Sequence, residues 1–90
     1  MKYTRHAKKR IAERGISEDM ILETILHPSQ VYYDLRTGAT IAIKGLNRRY
    51  ILVAYVREDD EIKVITTFIT SEIQEIIRRK IDGGKWVRVK

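Results

Sequence analysis

Ninety residues, 43% hydrophobic and 33% charged with one proline and five glycines, describe a single globular domain rather than a disordered or repetitive chain. The lack of cysteine excludes disulfides and thiolate metal sites, and no apolar run approaches the ~18 residues of a membrane span. The net charge of +6 is segregated: residues 1–15 and 78–90 each carry six Lys/Arg against one acid, while residues 16–77 carry six against ten.

Two basic ends attract polyanions such as nucleic acid. No signal peptide opens the chain, so the expected location is the cytoplasm.

Thr4 to Gly15 reads as a short basic helix, with Thr4 as N-cap and Gly15 as the left-handed stop. His6, Arg10 and Arg14 recur every four residues and so share one side of it. Tyr3, Ala7 and Ile11 form the adjoining apolar stripe. A second helix follows, capped by Ser17 and ended by Pro28. Its rows Ile21/Ile25 and Leu22/Leu26 are apolar at i, i+4. The two helices are expected to form an αα-hairpin across Gly15.

After Pro28 the period falls to about two. Strands are expected at Val31–Leu35, Thr40–Lys44, Tyr50–Arg57 and Ile62–Ile69, joined by short loops into an antiparallel meander. The segment 50–57 is apolar on both faces, which predicts a central strand. Ser71 is expected to cap a third helix, whose stripe is Ile73, Ile76, Ile77 and Ile81. Gly83-Gly84 breaks it. The tail Lys85-Trp86-Val87-Arg88-Val89-Lys90 alternates cation and hydrophobe, as an edge strand or a basic arm would. The whole is expected to be one α+β domain: a 1–70 core of N-terminal helical hairpin on a four-stranded antiparallel sheet, extended by a 71–90 helix and basic tail.

The two histidines, His6 and His27, fall on different helices without carboxylates at ligand spacing, so neither a metal nor another cofactor is expected. Phosphate-binding and nucleophile-elbow motifs are also missing. What remains is metal-free acid–base chemistry on a phosphodiester, where the RNA 2′-hydroxyl is the nucleophile. His6 is the candidate acid or base. Arg10 and Arg14 are candidate phosphate ligands, since a guanidinium grips phosphate through a bidentate fork. Thr66 and Thr67 leave opposite faces of one strand, so one hydroxyl is available to a phosphate. Lys44, Arg48, Arg49, Lys85 and Arg88 are further candidate RNA-binding cations, and Trp86 a candidate base-stacking side chain.

The run H-A-K-K-R-I-A-E-R-G-I, the helix ending in His27-Pro28 and the strand V-I-T-T-F together resemble the small proteins of domain-of-unknown-function family 4258 over residues 3–70. That family is grouped with the RelE/ParE toxins and their barnase-like nuclease relatives. The resemblance implies a RelE-like fold and an RNase, ribosome-dependent or free, neutralised by an antitoxin protein. It implies His6, Arg10 and a strand threonine as catalytic residues. The tail departs from the pattern, because such toxins often end where Ser71 begins. Three readings follow: a metal-independent endoribonuclease toxin acting on mRNA or at the ribosome, a non-catalytic nucleic-acid-binding module, and a ParE-like toxin that binds a protein such as gyrase. The chain is expected to be a monomer or a homodimer and to have no membrane partner.

Overall fold

The computed structural model describes residues 1–90. Nine elements follow one another: β1 (Lys2–Tyr3), α1 (Arg5–Arg14), α2 (Glu18–Leu26), β2 (Gln30–Asp34), β3 (Thr40–Leu46), β4 (Arg49–Glu58), β5 (Glu61–Thr70), α3 (Ile73–Asp82) and β6 (Trp86–Arg88). All six strands form one sheet in the order β1-β5-β4-β3-β2-β6. Five elements, β2 to β5 and β6, pair antiparallel, while β1 runs parallel to β5. No helix is long and apolar enough to cross a membrane.

The fold is therefore α+β, but not a helical hairpin on a four-stranded antiparallel sheet. β1 was missing from the expectation and pairs parallel, while the tail takes the edge-strand alternative as β6, so the sheet has six strands. The reason is length. β1 has two residues, too few to display a period of two, and is made a strand by a distant partner. The hairpin expectation fails too. α1 lies along β5, and α2 on β3 and β4, with little contact between the helices themselves.

The pleat divides the core in two. One face carries Ile51, Val53 and Val64, covered by Ala7 of α1, Ile16 of the connecting turn and Ile21 of α2. The other carries Tyr32, Ile41, Ile43, Leu52 and Ala54, covered by Ile73 and Ile77 of α3 and by Trp86. α3 thus docks on its own domain, and its four expected stripe residues are not equivalent: Ile73 and Ile77 are buried, whereas Ile81 is exposed. Its N-cap is Glu72, which makes no side-chain capping bond, so Ser71 does not cap it. β4 is buried on both faces from Ile51 to Ala54, as its unbroken apolar run requires.

Two local devices shape the central β4–β5 hairpin, one midway along it and one at its tip. A bulge falls at Ile65, between the Ala54–Thr66 and Tyr55–Val64 pairs. The Thr4 hydroxyl donates to the Ile65 carbonyl at 2.6 Å, which anchors the start of α1 there. At the other end, Asp59 and Asp60 both have positive φ, 49° and 64°. That is the two-residue turn whose twist suits a hairpin, and aspartate tolerates the left-handed region better than most residues. Glu58 and Glu61 flank it as a directly opposed pair, so four acids occupy one tip.

Candidate nucleic-acid interface

α1 is held rigidly at both ends. The Ala7 amide donates to the Thr4 hydroxyl at 3.1 Å, and Gly15 closes the helix in the left-handed region at φ 63°. Ala7 is fully buried against the sheet. This fixes the rotation of the helix and turns its cations outward. His6 and Arg14 are exposed and Arg10 is half-buried, so the three expected neighbours do share a side. Arg5, Lys8 and Lys9 are exposed around them.

The electrostatics of α1 are unusual for a helix kept only for stability. Its first turn contains no acid, and Arg5 stands at the positive end of the helix dipole. α2 and α3 follow the opposite rule, with Glu18 and Asp19 or Glu75 early. The ion pairs of the protein are Lys2–Glu61, Lys44–Glu23 and Arg78–Glu75, none of which involves α1. Five Lys/Arg therefore stand unpaired on ten residues.

The remaining candidates are dispersed. Thr67 is fully buried on the α1–α2 side, and its hydroxyl donates to the Leu52 carbonyl at 2.8 Å. It cannot meet a phosphate on the surface. Thr66 is half-buried on the opposite side of the sheet, in a cavity beneath α3. The sheet separates Thr66 from His6, and burial keeps the Thr67 hydroxyl away from the surface that carries His6. Lys44 donates through Nζ to the His27 carbonyl at 2.9 Å and lies 4.0 Å from Glu23, so it secures the C-terminus of α2. Arg48 and Arg49, at the β3–β4 turn, line an open cleft of about 660 Å³ with Met20, Leu46, Asn47 and Ile69. No residue of α1 borders that cleft. Arg88 lies 5.9 Å from the Tyr32 ring, on the outermost strand, while Lys85 is half-buried.

Trp86 is not an exposed stacking platform. It is 5% exposed and stacks on Tyr32, with ring centroids 5.5 Å apart. A lone tryptophan between cations reads as a nucleic-acid contact only until its tertiary partner is known. The sequence reading passed over Asp34, Thr37 and Lys80, which border the same cavity as Trp86 and Thr66. No local motif links these residues, and only the sheet brings them together.

Residues 3–69 match the family model described as Domain of unknown function (DUF4258). The chain belongs to this family. No curated protein and no solved structure matches it. The DUF4258 segment runs from β1 to the end of β5, so α1 and its cations fall within it and α3 and β6 outside.

Within that segment one contact clamps α1 from the side. The Tyr3 hydroxyl donates to Glu18 Oε1 at 2.7 Å, joining β1 to the start of α2. Desolvation, then the hydrogen bond to Glu18 and the charge of Glu18, push the Tyr3 phenol up to about 12 from 10.0. Below the unfolded value both states hold the proton, and the contact is intact. Above it the unfolded chain ionises first, so stability should fall as pH rises from 10.0 toward about 12. Phenolate absorbance should show one tyrosine titrating late in the wild type, and the late titration should move down in Glu18→Gln. If the two titration curves superimpose, the Tyr3–Glu18 clamp is absent in solution.

Proposed function

We propose that this DUF4258 protein binds RNA through the basic face of α1, with His6, Arg10 and Arg14 at its centre and Arg5, Lys8 and Lys9 around them. The observation that carries the reading is the set of unpaired cations held on a rigid helix whose first turn contains Arg5 and no acid. Cations with no internal partner fit an external polyanion.

Kinship with RelE/ParE-like toxins belongs to this proposal. An antitoxin would then supply acids to the same face and compete with RNA. Binding is favoured over cleavage. Acid–base cleavage of RNA asks for one group to take a proton and another to give one. His6 has arginines beside it, but neither Thr66 nor Thr67 joins it, and an ionised guanidinium does not exchange protons at neutral pH.

The test is RNA binding at several salt concentrations, with EDTA present throughout and RNA integrity followed on gels. The expected result is salt-sensitive binding of intact RNA, with a salt slope reduced by about one phosphate contact in Arg10→Ala. Cleavage that resists EDTA and disappears in His6→Ala would replace the binding reading with the nuclease one. Binding whose salt slope is unchanged in Arg10→Ala would remove α1 from the interface.

A further inference from the structure

A cavity of about 200 Å³ lies between α3 and the sheet, away from α1. Its walls are apolar, chiefly Ile41, Leu52, Phe68 and Ile76, and one end is polar, with Asp34, Thr37 and Trp86. The Trp86 indole Nε1 is buried there and makes no hydrogen bond of good geometry, although it lies close enough to the Asp34 carboxylate to favour its charge. Native interiors rarely leave such a donor unused, so it calls for an explanation. Beside it stands an acceptor. Asp34 Oδ1 takes the Arg36 and Thr37 amides at 2.8 and 3.1 Å, leaving Oδ2 free of backbone donors. Burial opposes the Asp34 charge, but these amides, the nearby Trp86 indole and the Thr37 hydroxyl outweigh it and hold the carboxyl below its usual range.

The cavity adjoins a second cleft. Phe68, Ile76 and Lys80 are common to both, and the second, of about 380 Å³, adds Arg79 and Lys85. None of these three cations has an ion pair. Lys80 lies 5.9 Å from the Trp86 ring and so sits at the junction.

We propose that the two cavities together hold a nucleoside monophosphate, with its base against Trp86 and Asp34 and its phosphate on Arg79, Lys80 and Lys85. The inner volume slightly exceeds that of a ~150 Å³ cavity that takes benzene, so it suits a flat heterocycle rather than a chain or a sugar. The pairing edge of a nucleobase presents an acceptor next to a donor. That edge satisfies the Trp86 N–H and the Asp34 carboxylate at once. Lysine and arginine at the mouth match the phosphate. The same chemistry is offered by a free nucleotide and by the terminal nucleotide of an RNA strand. The site is independent of α1 and of the RNA-binding reading.

Trp86 is the only tryptophan of the chain, so its emission reports on the cavity directly. The whole protein is titrated separately with AMP, CMP, GMP and UMP, with the parent nucleosides and inorganic phosphate as partial probes. The expected result is a saturable change in Trp86 emission with at least one nucleotide, and binding about ten-fold weaker for its nucleoside. Asp34→Asn and, independently, the pair Arg79→Ala/Lys85→Ala should each weaken binding by about ten-fold. Circular dichroism checks that both variants are folded, and the Arg79/Lys85 variant keeps the test decisive if Asp34→Asn is not. A 5′-phosphorylated oligonucleotide that binds better than the monomer identifies a strand end as the source; the reverse identifies a free nucleotide. Arg10→Ala should leave the titration unchanged, which separates this site from α1. No emission change with any nucleotide at millimolar concentration, or a response reproduced by inorganic phosphate alone, overturns the proposal.

Discussion

Deleting residues 71–90 should abolish cooperative folding. The segment supplies Ile73, Ile77 and Trp86, all buried, to the core that also contains Tyr32, Ile41, Ile43 and Leu52. Burying each of the three stabilises by about 1.5–3 kcal/mol. Their sum is comparable with the roughly 5–15 kcal/mol that separates a domain from its unfolded state, before the entropy of ordering the segment is subtracted. The loss does not stop there. β2 would become an edge with its amides unpaired, since Val31 and Leu35 donate to the Lys90 and Lys85 carbonyls at 2.9 Å. The measurement is thermal unfolding by circular dichroism, with a dye that reports exposed apolar surface. The truncated chain should melt without a sharp transition and bind the dye. A truncated chain that melts cooperatively near the wild-type temperature would mean that the α1–α2 side of the sheet is a sufficient core alone.

Neutralising α1 should act on binding and leave folding untouched. Replacing Lys8, Lys9, Arg10 and Arg14 with glutamine keeps good helix formers at every position. None of these side chains has an ion pair or is fully buried, so the melting temperature should stay the same or rise as like charges are relieved. If each cation meets one phosphate of a single strand, the salt slope falls by about 0.7 per contact, and affinity at physiological salt drops by about two orders of magnitude. An affinity loss that persists unchanged at high salt would indicate a role in shape rather than charge. No loss would place the RNA surface elsewhere.

The sequence made α1 and α2 legible because their signals are local. Thr4 and Ser17 both accept the amide three residues on, as a capping hydroxyl should. Strand periodicity located β2 to β5 to within a few residues for the same reason. What could not be read depended on distance. β1 becomes a strand through Lys63 and Val64, some sixty residues away, and the tail settles as an edge strand rather than an arm only by pairing with Tyr32 to Asp34. Lys44 looked like an RNA-binding cation until its partner at the end of α2 was known. Adjacency placed Thr66 and Thr67 on opposite faces, as found, but did not reveal that both faces are covered, one by α3 and the other by the N-terminal helices. His6, Arg10 and Arg14 were legible as a group because helical spacing alone places them together.

The four acids at the β4–β5 tip have a bearing on how a strand of RNA would lie. The tip is tied to the N-terminus, because Lys2 pairs with Glu61 at 3.6 Å and α1 starts directly after β1. The tip therefore sets four carboxylates beside the strand that leads into α1, whose first residues are cationic. For the RNA proposed above, the tip would act as a fence: a polyanion settling on Arg5, Lys8 and Lys9 would be repelled from the hairpin end and kept to the helix.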